Sequence, residues 1–212
     1  MPMLKAEKFD GILVLTLNRP EKLNALNNDL LKALVKSIHY ASLDSSLSYL
    51  LLRGAGKAFS AGGDLHEACE KKSLKSQSFH AYLDRLIRNL NVVVELLQDL
   101  PLPTGALLHG SVAGGGFALS LAVDYRFATS DLRIRAGPAL LGVIPAGGCT
   151  YFLPRLLGES LSRKLLLQNL EIEAEEALYL GIIDEIVSFE WLAENPQLLV
   201  NSLLNSEEKL QC

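Results

Sequence analysis

The 212-residue chain is 49% hydrophobic and carries 20 basic against 24 acidic side chains, a net charge of -4. That length and apolar share suit one domain with a sizeable core, and charge mixed along the chain without a basic block argues against nucleic acid as a partner. Cys69, Cys149 and Cys212 are an odd number with no CxxC spacing, which argues against a disulfide framework or a zinc site and points to a reducing, cytoplasmic setting. The opening MPMLKAEKFDG holds no apolar stretch of signal-peptide length. The most apolar region, Ala106 to Val123, is broken by His109, Gly110 and a triple glycine, so it reads as a buried strand and helix and not as a membrane span.

Taken in chain order, Gly11–Leu17 (GILVLTL) is short, β-branched and apolar, the pattern of a strand. Leu30, Leu31, Leu34, Val35 and Ile38 recur at helical spacing and predict a helix over Asn28–Tyr40. Ser48–Arg53 reads as a strand, and Gln77–Leu100 as a long amphipathic helix stopped by Pro101 and Pro103. Between them, Glu67–Ser78 (EACEKKSLKSQS) is polar and reads as a mobile flap. Gly105–His109 predicts a buried strand, Gly115–Val123 a buried helix, and Tyr125–Ala128 and Leu132–Arg135 short strands. Helices are expected over Gly147–Leu157, Ser160–Gln168 and Glu173–Leu180, with Gly181 as C-cap, then a strand at Ile182–Val187 and a helix at Glu190–Leu204. Alternating strands and helices imply α/β layering, with residues 1–188 as a core domain and 189–212 as a short helical tail.

Two glycine-containing turns carry the chemistry: Ala58–Leu65 (AFSAGGDL), just after a strand, and Gly110–Leu119 (GSVAGGGFAL), between a buried strand and a buried helix. A turn of this kind exposes backbone N–H groups with the positive end of a helix behind them, a setting that favours an anion or a developing oxyanion. By itself a triple glycine is explained equally well by a tight turn and close helix–strand packing. Neither turn continues into Gly-Lys-Ser/Thr, which excludes a P-loop, and neither has the GxGxxG spacing of a dinucleotide site.

Five stretches together resemble the crotonase (enoyl-CoA hydratase/isomerase) superfamily, in family order and at family spacing over roughly residues 10 to 188: Asn18–Leu26 (NRPEKLNAL), Ala58–Leu65, Pro103–Asp124, Leu141–Thr150 (LGVIPAGGCT) and Ala177–Val187 (ALYLGIIDEIV). The resemblance implies an α/β fold, a spiral of strand–strand–helix repeats with a shortened α-helical C-terminal region. It implies that the N–H groups of Gly63 and Gly115 hold the carbonyl oxygen of an acyl thioester and stabilise an enolate. It places Lys22, Leu23 and Ala25, with Ala61, Gly62, Asp64 and Leu65 nearby, along the bound substrate and its CoA. No metal or further cofactor is implied; CoA or a phosphopantetheine arm is the substrate carrier.

One part of the family pattern is missing. Hydratases of the family use two glutamates as acid and base. Here Ala118 stands in the first slot and Pro138, beside Ala139, in the second. Hydration is therefore disfavoured against decarboxylation, which forms an enolate by loss of carbon dioxide, or double-bond isomerisation. Some relatives that lack the glutamate pair, among them decarboxylases of polyketide β-branching acting on carrier-protein-bound intermediates, have stretches similar to Gly114–Leu119 and Cys149–Pro154. Substitute proton-transfer groups are sought in His66, His80 and Tyr82, each with surface exposure or packing as the alternative. His109 is expected to be buried, Cys149 and Tyr151 to pack, and Asp64 and Asp124 to be structural. Arg133 and Arg135 share one strand face and are read as a salt-bridged pair or a carboxylate clamp.

Other readings stay open: a non-catalytic crotonase-fold subunit, a hydratase with displaced acid/base residues, or a hydrolase built on Ser111 or Ser120, which lacks a GxSxG motif. Family members form trimers or hexamers through C-terminal helices, so a homo-oligomer is expected. Only about 25 residues follow Val187, and an open adenine side of the pocket would suit the pantetheine arm of an acyl carrier protein, which has no adenine, with acyl-CoA as the other carrier.

Overall fold

In the computed structural model, residues 2–72, 76–136 and 144–188 are described. Strand β2 (Ile12–Leu17) is buried along its whole length, because the sheet it belongs to is covered on both faces. Leu13, Leu15 and Leu17 enter the main core, while Ile12 and Val14 enter a second cluster with Tyr49, Leu51, Leu107 and Phe127. The same alternation runs through β3 (Tyr49–Gly54), β4 (Thr104–Leu108) and β6 (Tyr125–Ala128), as the two-residue period of a strand requires. With β1 (Leu4–Phe9) and β9 (Glu185–Ile186) these make a six-stranded sheet in the order β1-β2-β3-β4-β6-β9, parallel except for β1.

A second sheet joins β5 (Ser111–Ala113), β7 (Arg133–Arg135) and β8 (Glu171–Glu173). Single bridges, Ser60 to Val112 and Leu26 to Gly63, carry its line further along the chain. Each turn of chain thus lays down a large-sheet strand, then a short crossing segment, then a helix. β2 leads through Leu26 to α1 (Asn28–Leu43), and β3 through residues 58–63 to α2 (Leu65–Lys72) and α3 (Ser76–Gln98). β4 and β5 lead to α4 (Gly115–Leu121), and β6 and β7 precede α5 (Cys149–Gln168). This is the expected strand–strand–helix spiral, closed by β8, α6 (Ala174–Tyr179) and β9.

Local chemistry sets the helix ends. Asn27 caps α1, its side-chain oxygen accepting from Leu30 N at 2.9 Å. Gly158, with φ +73°, breaks α5 internally and accounts for the two helices that the periodicity predicts there. The expected flap over Glu67–Ser78 is corrected: α2 runs to Lys72 and α3 begins at Ser76. Asp64 starts α2 by accepting from Glu67 N, an anchor that a polarity argument does not register. The helix expected over Glu173–Leu180 is present as α6 (Ala174–Tyr179), with Glu173 both closing β8, antiparallel to β7, and serving as the N-cap. The predicted helix Glu190–Leu204, the tail to Cys212 and the Pro138 and Ala139 slots lie outside the described residues.

Helix α4 rests directly on the Ser60 segment. A Cβ on Gly116 would come within 2.6 Å of both Ser60 Cβ and Ser60 O. Backbone cannot step aside cheaply, so Gly116→Ala is expected to lower stability by about 1–3 kcal/mol. Equilibrium denaturation in urea measures this.

Candidate active site

Leu26 N donates to Gly62 O at 2.7 Å, and Asp64 N donates to Leu26 O at 2.8 Å. The two neighbours of Gly63 are thereby tied to Leu26, and the alternation of an extended backbone sends the N–H of Gly63 itself to the other side. Gly62 makes the turn possible. Its φ is +92°, and a Cβ there would lie 2.8 Å from Ala113 O.

The second donor comes from the start of α4. Gly114, at φ +47°, is the N-cap and gives its N–H to Arg135 O at 3.1 Å. Gly115 is the first helical residue, so its N–H is one of the donors a helix leaves unsatisfied. Among the described residues neither Gly63 N nor Gly115 N has a hydrogen-bond partner. The two converge: a Cβ on Gly115 would sit 3.9 Å from Gly63 N.

Both face a cavity of about 230 Å³. Its wall includes Leu83, Leu86, Ile87 and Leu90 of α3, with Leu26, Leu65, Ala61 and Pro145. Arg135, Cys149 and Asn169 are its polar-capable members. Among the described residues that line it, no Asp, Glu, His, Tyr or Lys occurs. Ala118 is fully buried in the core behind Gly147, whose Cβ would meet that of Ala118 at 2.6 Å.

The three proton-transfer candidates from the sequence do not line this cavity. His66 on α2 and His80 on α3 are exposed, and His80 stacks edge-on against Phe79. Tyr82 is buried in the main core; burial, and then the charges of Glu67 and Asp64, hold its phenol above the ordinary range. A helix of 23 residues presents only one stripe to the cavity, and that stripe carries Leu83, Leu86 and Leu90. Of the proposed substrate-binding residues, Ala61, Gly62 and Leu65 line the cavity. Lys22, Leu23 and Ala25 sit beside it, with Leu23 O accepting from Ala61 N at 2.9 Å.

Asp64 is buried under Gly63, with Arg19 Nη2 at 2.8 Å and Lys22 Nζ at 3.7 Å. Burial raises its carboxyl, but the Glu67 N–H, the Arg19 hydrogen bond and the two cations outweigh it, leaving the group below its ordinary value. Arg133 and Arg135 pair across the ladder with Glu173 at 3.4 Å and Glu171 at 2.7 Å. His109 is buried, its Nε2 3.0 Å from Gly56 O, and burial lowers its affinity for a proton. Asp124 ties Thr104 N and Oγ1 at 2.8 and 2.7 Å, joining β4 to the turn before β6.

Cys149 packs in the main core, as the sequence suggested, and at the first turn of α5 it also lines the cavity. Its position directly after Gly147-Gly148 was the available signal. Burial pushes its thiol up to about 12.

Residues 7–211 match the family model for enoyl-CoA hydratase/isomerase. Over 201 residues the chain is 32% identical to a short-chain-enoyl-CoA hydratase of Clostridium acetobutylicum, covering 94% of this chain and 74% of that protein. Among solved structures, an enoyl-CoA hydratase from Bacillus halodurans aligns with a TM-score of 0.86 at 29% identity, over 96% of this chain and 81% of that one. One from Bacillus anthracis aligns with a TM-score of 0.85 at 28% identity, over 96% and 77%. The chain is an enzyme of the crotonase superfamily and belongs to its enoyl-CoA hydratase/isomerase family. Among the described residues no helix is long and apolar enough to cross a membrane.

Two measurements check these electrostatics. The folded carboxyl of Asp64 lies below the unfolded value of 3.8, so its stabilising contribution is complete above that pH and fades as pH falls through the lower folded value. The difference in thermal midpoint between wild type and Asp64→Asn should therefore hold constant from neutral pH down toward 3.8 and shrink below it. Iodoacetamide at pH about 8 should alkylate exposed Cys69 and spare buried Cys149, as read by peptide mass mapping, because only the thiolate reacts.

Proposed function

We propose that this chain binds an acyl thioester, as acyl-CoA or on a carrier protein's pantetheine arm, with the thioester oxygen between the N–H groups of Gly63 and Gly115. The observation that carries this reading is the convergence of two N–H groups without a protein partner on a mainly apolar cavity. Such donors favour the negative charge that develops on oxygen when an enolate forms, and the mainly apolar wall strengthens each hydrogen bond. The leucine face of α3 suits the acyl chain, and the Lys22–Ala25 turn suits the CoA side.

Within this class we favour decarboxylation first, and double-bond isomerisation, which needs one group to carry a proton from the α- to the γ-carbon, over hydration, which needs an acid and a base. In decarboxylation the bond from the α-carbon to a carboxylate breaks, carbon dioxide leaves, and the electron pair passes to the thioester oxygen as enolate. A proton then returns to the α-carbon. No general base is needed, which agrees with a described lining that has no carboxylate. In the sequence, residues 137–143 (GPALLGV) likewise carry no titratable side chain. Hydration requires a base to activate water and an acid to protonate carbon, two functions that this lining does not supply.

Gly115 offers a clean test of the donor. Proline is tolerated at the first position of a helix, so Gly115→Pro deletes the N–H, while Gly115→Ala adds bulk and keeps it. Gly115→Pro is expected to lose roughly 100- to 1000-fold in kcat relative to Gly115→Ala. The substrates compared are crotonyl-CoA, a 3-enoyl-CoA and an α-carboxyacyl-CoA. Crotonyl-CoA hydration faster than turnover of the other two would overturn the preferred chemistry while leaving the thioester site intact.

A further inference from the structure

Arg19 is almost entirely buried, yet it does not line the cavity. Its guanidinium forks. Nη1 donates to Ala25 O, and Nη2 donates to Asp64 Oδ2 at 2.8 Å. Ala25 immediately precedes Leu26, and Asp64 immediately follows Gly63. The two arms therefore grip one residue on each side of the Leu26–Gly63 bridge, whose hydrogen bonds at 2.7 and 2.8 Å set the direction of the Gly63 N–H.

The surroundings extend this clamp. Asn24 Oδ1 accepts from Arg19 N at 2.8 Å, and its Nδ2 donates to Ala58 O at 2.7 Å. Ser60 Oγ donates to Asn24 O at 2.9 Å. The segment carrying Arg19 is thus stitched to the segment carrying Gly63 on both sides of the donor.

We propose that Arg19 is a positioning residue for the Gly63 oxyanion donor, acting through the Asp64 carboxylate and the Ala25 carbonyl. The inference rests on the thioester reading above. A planar guanidinium reaches two acceptors in fixed directions, which a lysine ammonium on a flexible stem does not reproduce. A buried ion pair is a poor source of net stability, since its desolvation offsets its attraction. What this pair supplies is a fixed angle between two chain segments, and an oxyanion donor acts only when its angle and distance are fixed in advance.

The test uses the purified full chain and 4-dimethylaminocinnamoyl-CoA, a thioester whose long-wavelength absorbance moves to the red when its carbonyl is polarised. Wild type is expected to bind it with a red shift. Arg19→Lys, and the milder Asp64→Asn, should bind it within about threefold of wild-type affinity but lose about half or more of the shift. Asp184→Asn is the stability control, because it breaks another ion pair, Arg126–Asp184 at 3.4 Å, remote from Gly63. It should keep the full shift.

Full red shift in both Arg19→Lys and Asp64→Asn overturns the positioning role and leaves the thioester site standing. An equal loss in Asp184→Asn also overturns it, by assigning the effect to general destabilisation. Tight binding to wild type without any shift overturns the oxyanion reading itself. Should Arg19→Lys fail to fold, Asp64→Asn decides the matter, since asparagine keeps the volume and an oxygen for the Glu67 N–H.

Discussion

A backbone N–H inside a folded protein is almost always paired, and leaving one unpaired costs free energy comparable to a lost hydrogen bond. Gly63 and Gly115, both partly buried, leave two N–H groups without a protein partner facing one cavity. The surrounding framework makes this tolerable by satisfying their neighbours. Gly62 O and Asp64 N are both taken by Leu26, and Gly114 N by Arg135 O. Glycine at 62 and 116 then lets the backbone at Ala113 and Ser60 approach more closely than a side chain would permit, while Gly114 supplies the positive φ of its turn.

The rest of the site follows from that crowding. With backbone occupying one wall, the other is left to side chains of α3, and the stripe it presents is aliphatic. An apolar wall lowers the local dielectric and raises the value of each N–H aimed at a developing charge. The same wall raises the thiol pKa of Cys149, which stays protonated. Charge is concentrated beneath the donors instead, where Asp64 is held by Arg19 and Lys22. The chemistry best suited to this arrangement places negative charge on the substrate's oxygen and asks little of acidic or basic side chains.

Much of the fold was legible in the sequence because its signal is local. The buried strands are continuous aliphatic runs, the helices repeat at their own period, and Gly158 marks the break in α5. β1 was missed: LKAEKF is mostly exposed, and its place comes from antiparallel pairing of its backbone with β2, which side-chain pattern does not encode. β5 and β8 are three residues each and hidden among turn and acidic residues. The Glu67–Ser78 flap was misread because polarity resembles a loop, while Asp64 capping and contact with α3 make most of it helical.

The two glycine turns, their order and the absence of glutamate at Ala118 belong to the sequence itself, because they depend only on which residues stand next to one another. Only with the resemblance to the crotonase superfamily did they point to Gly63 and Gly115 and set hydration in doubt. Which side chains join them was decided by the tertiary structure. His66, His80 and Tyr82 lie near the turns along the chain, yet the rotation of α2 and α3 turns them from the cavity and brings Leu83, Leu86 and Leu90 to it. Cys149 and Asn169 come from the far end of the chain. Arg19 reaches Asp64 across 45 residues. Contacts at that separation depend on how helices and strands pack as bodies, and a local pattern of residues carries no measure of it.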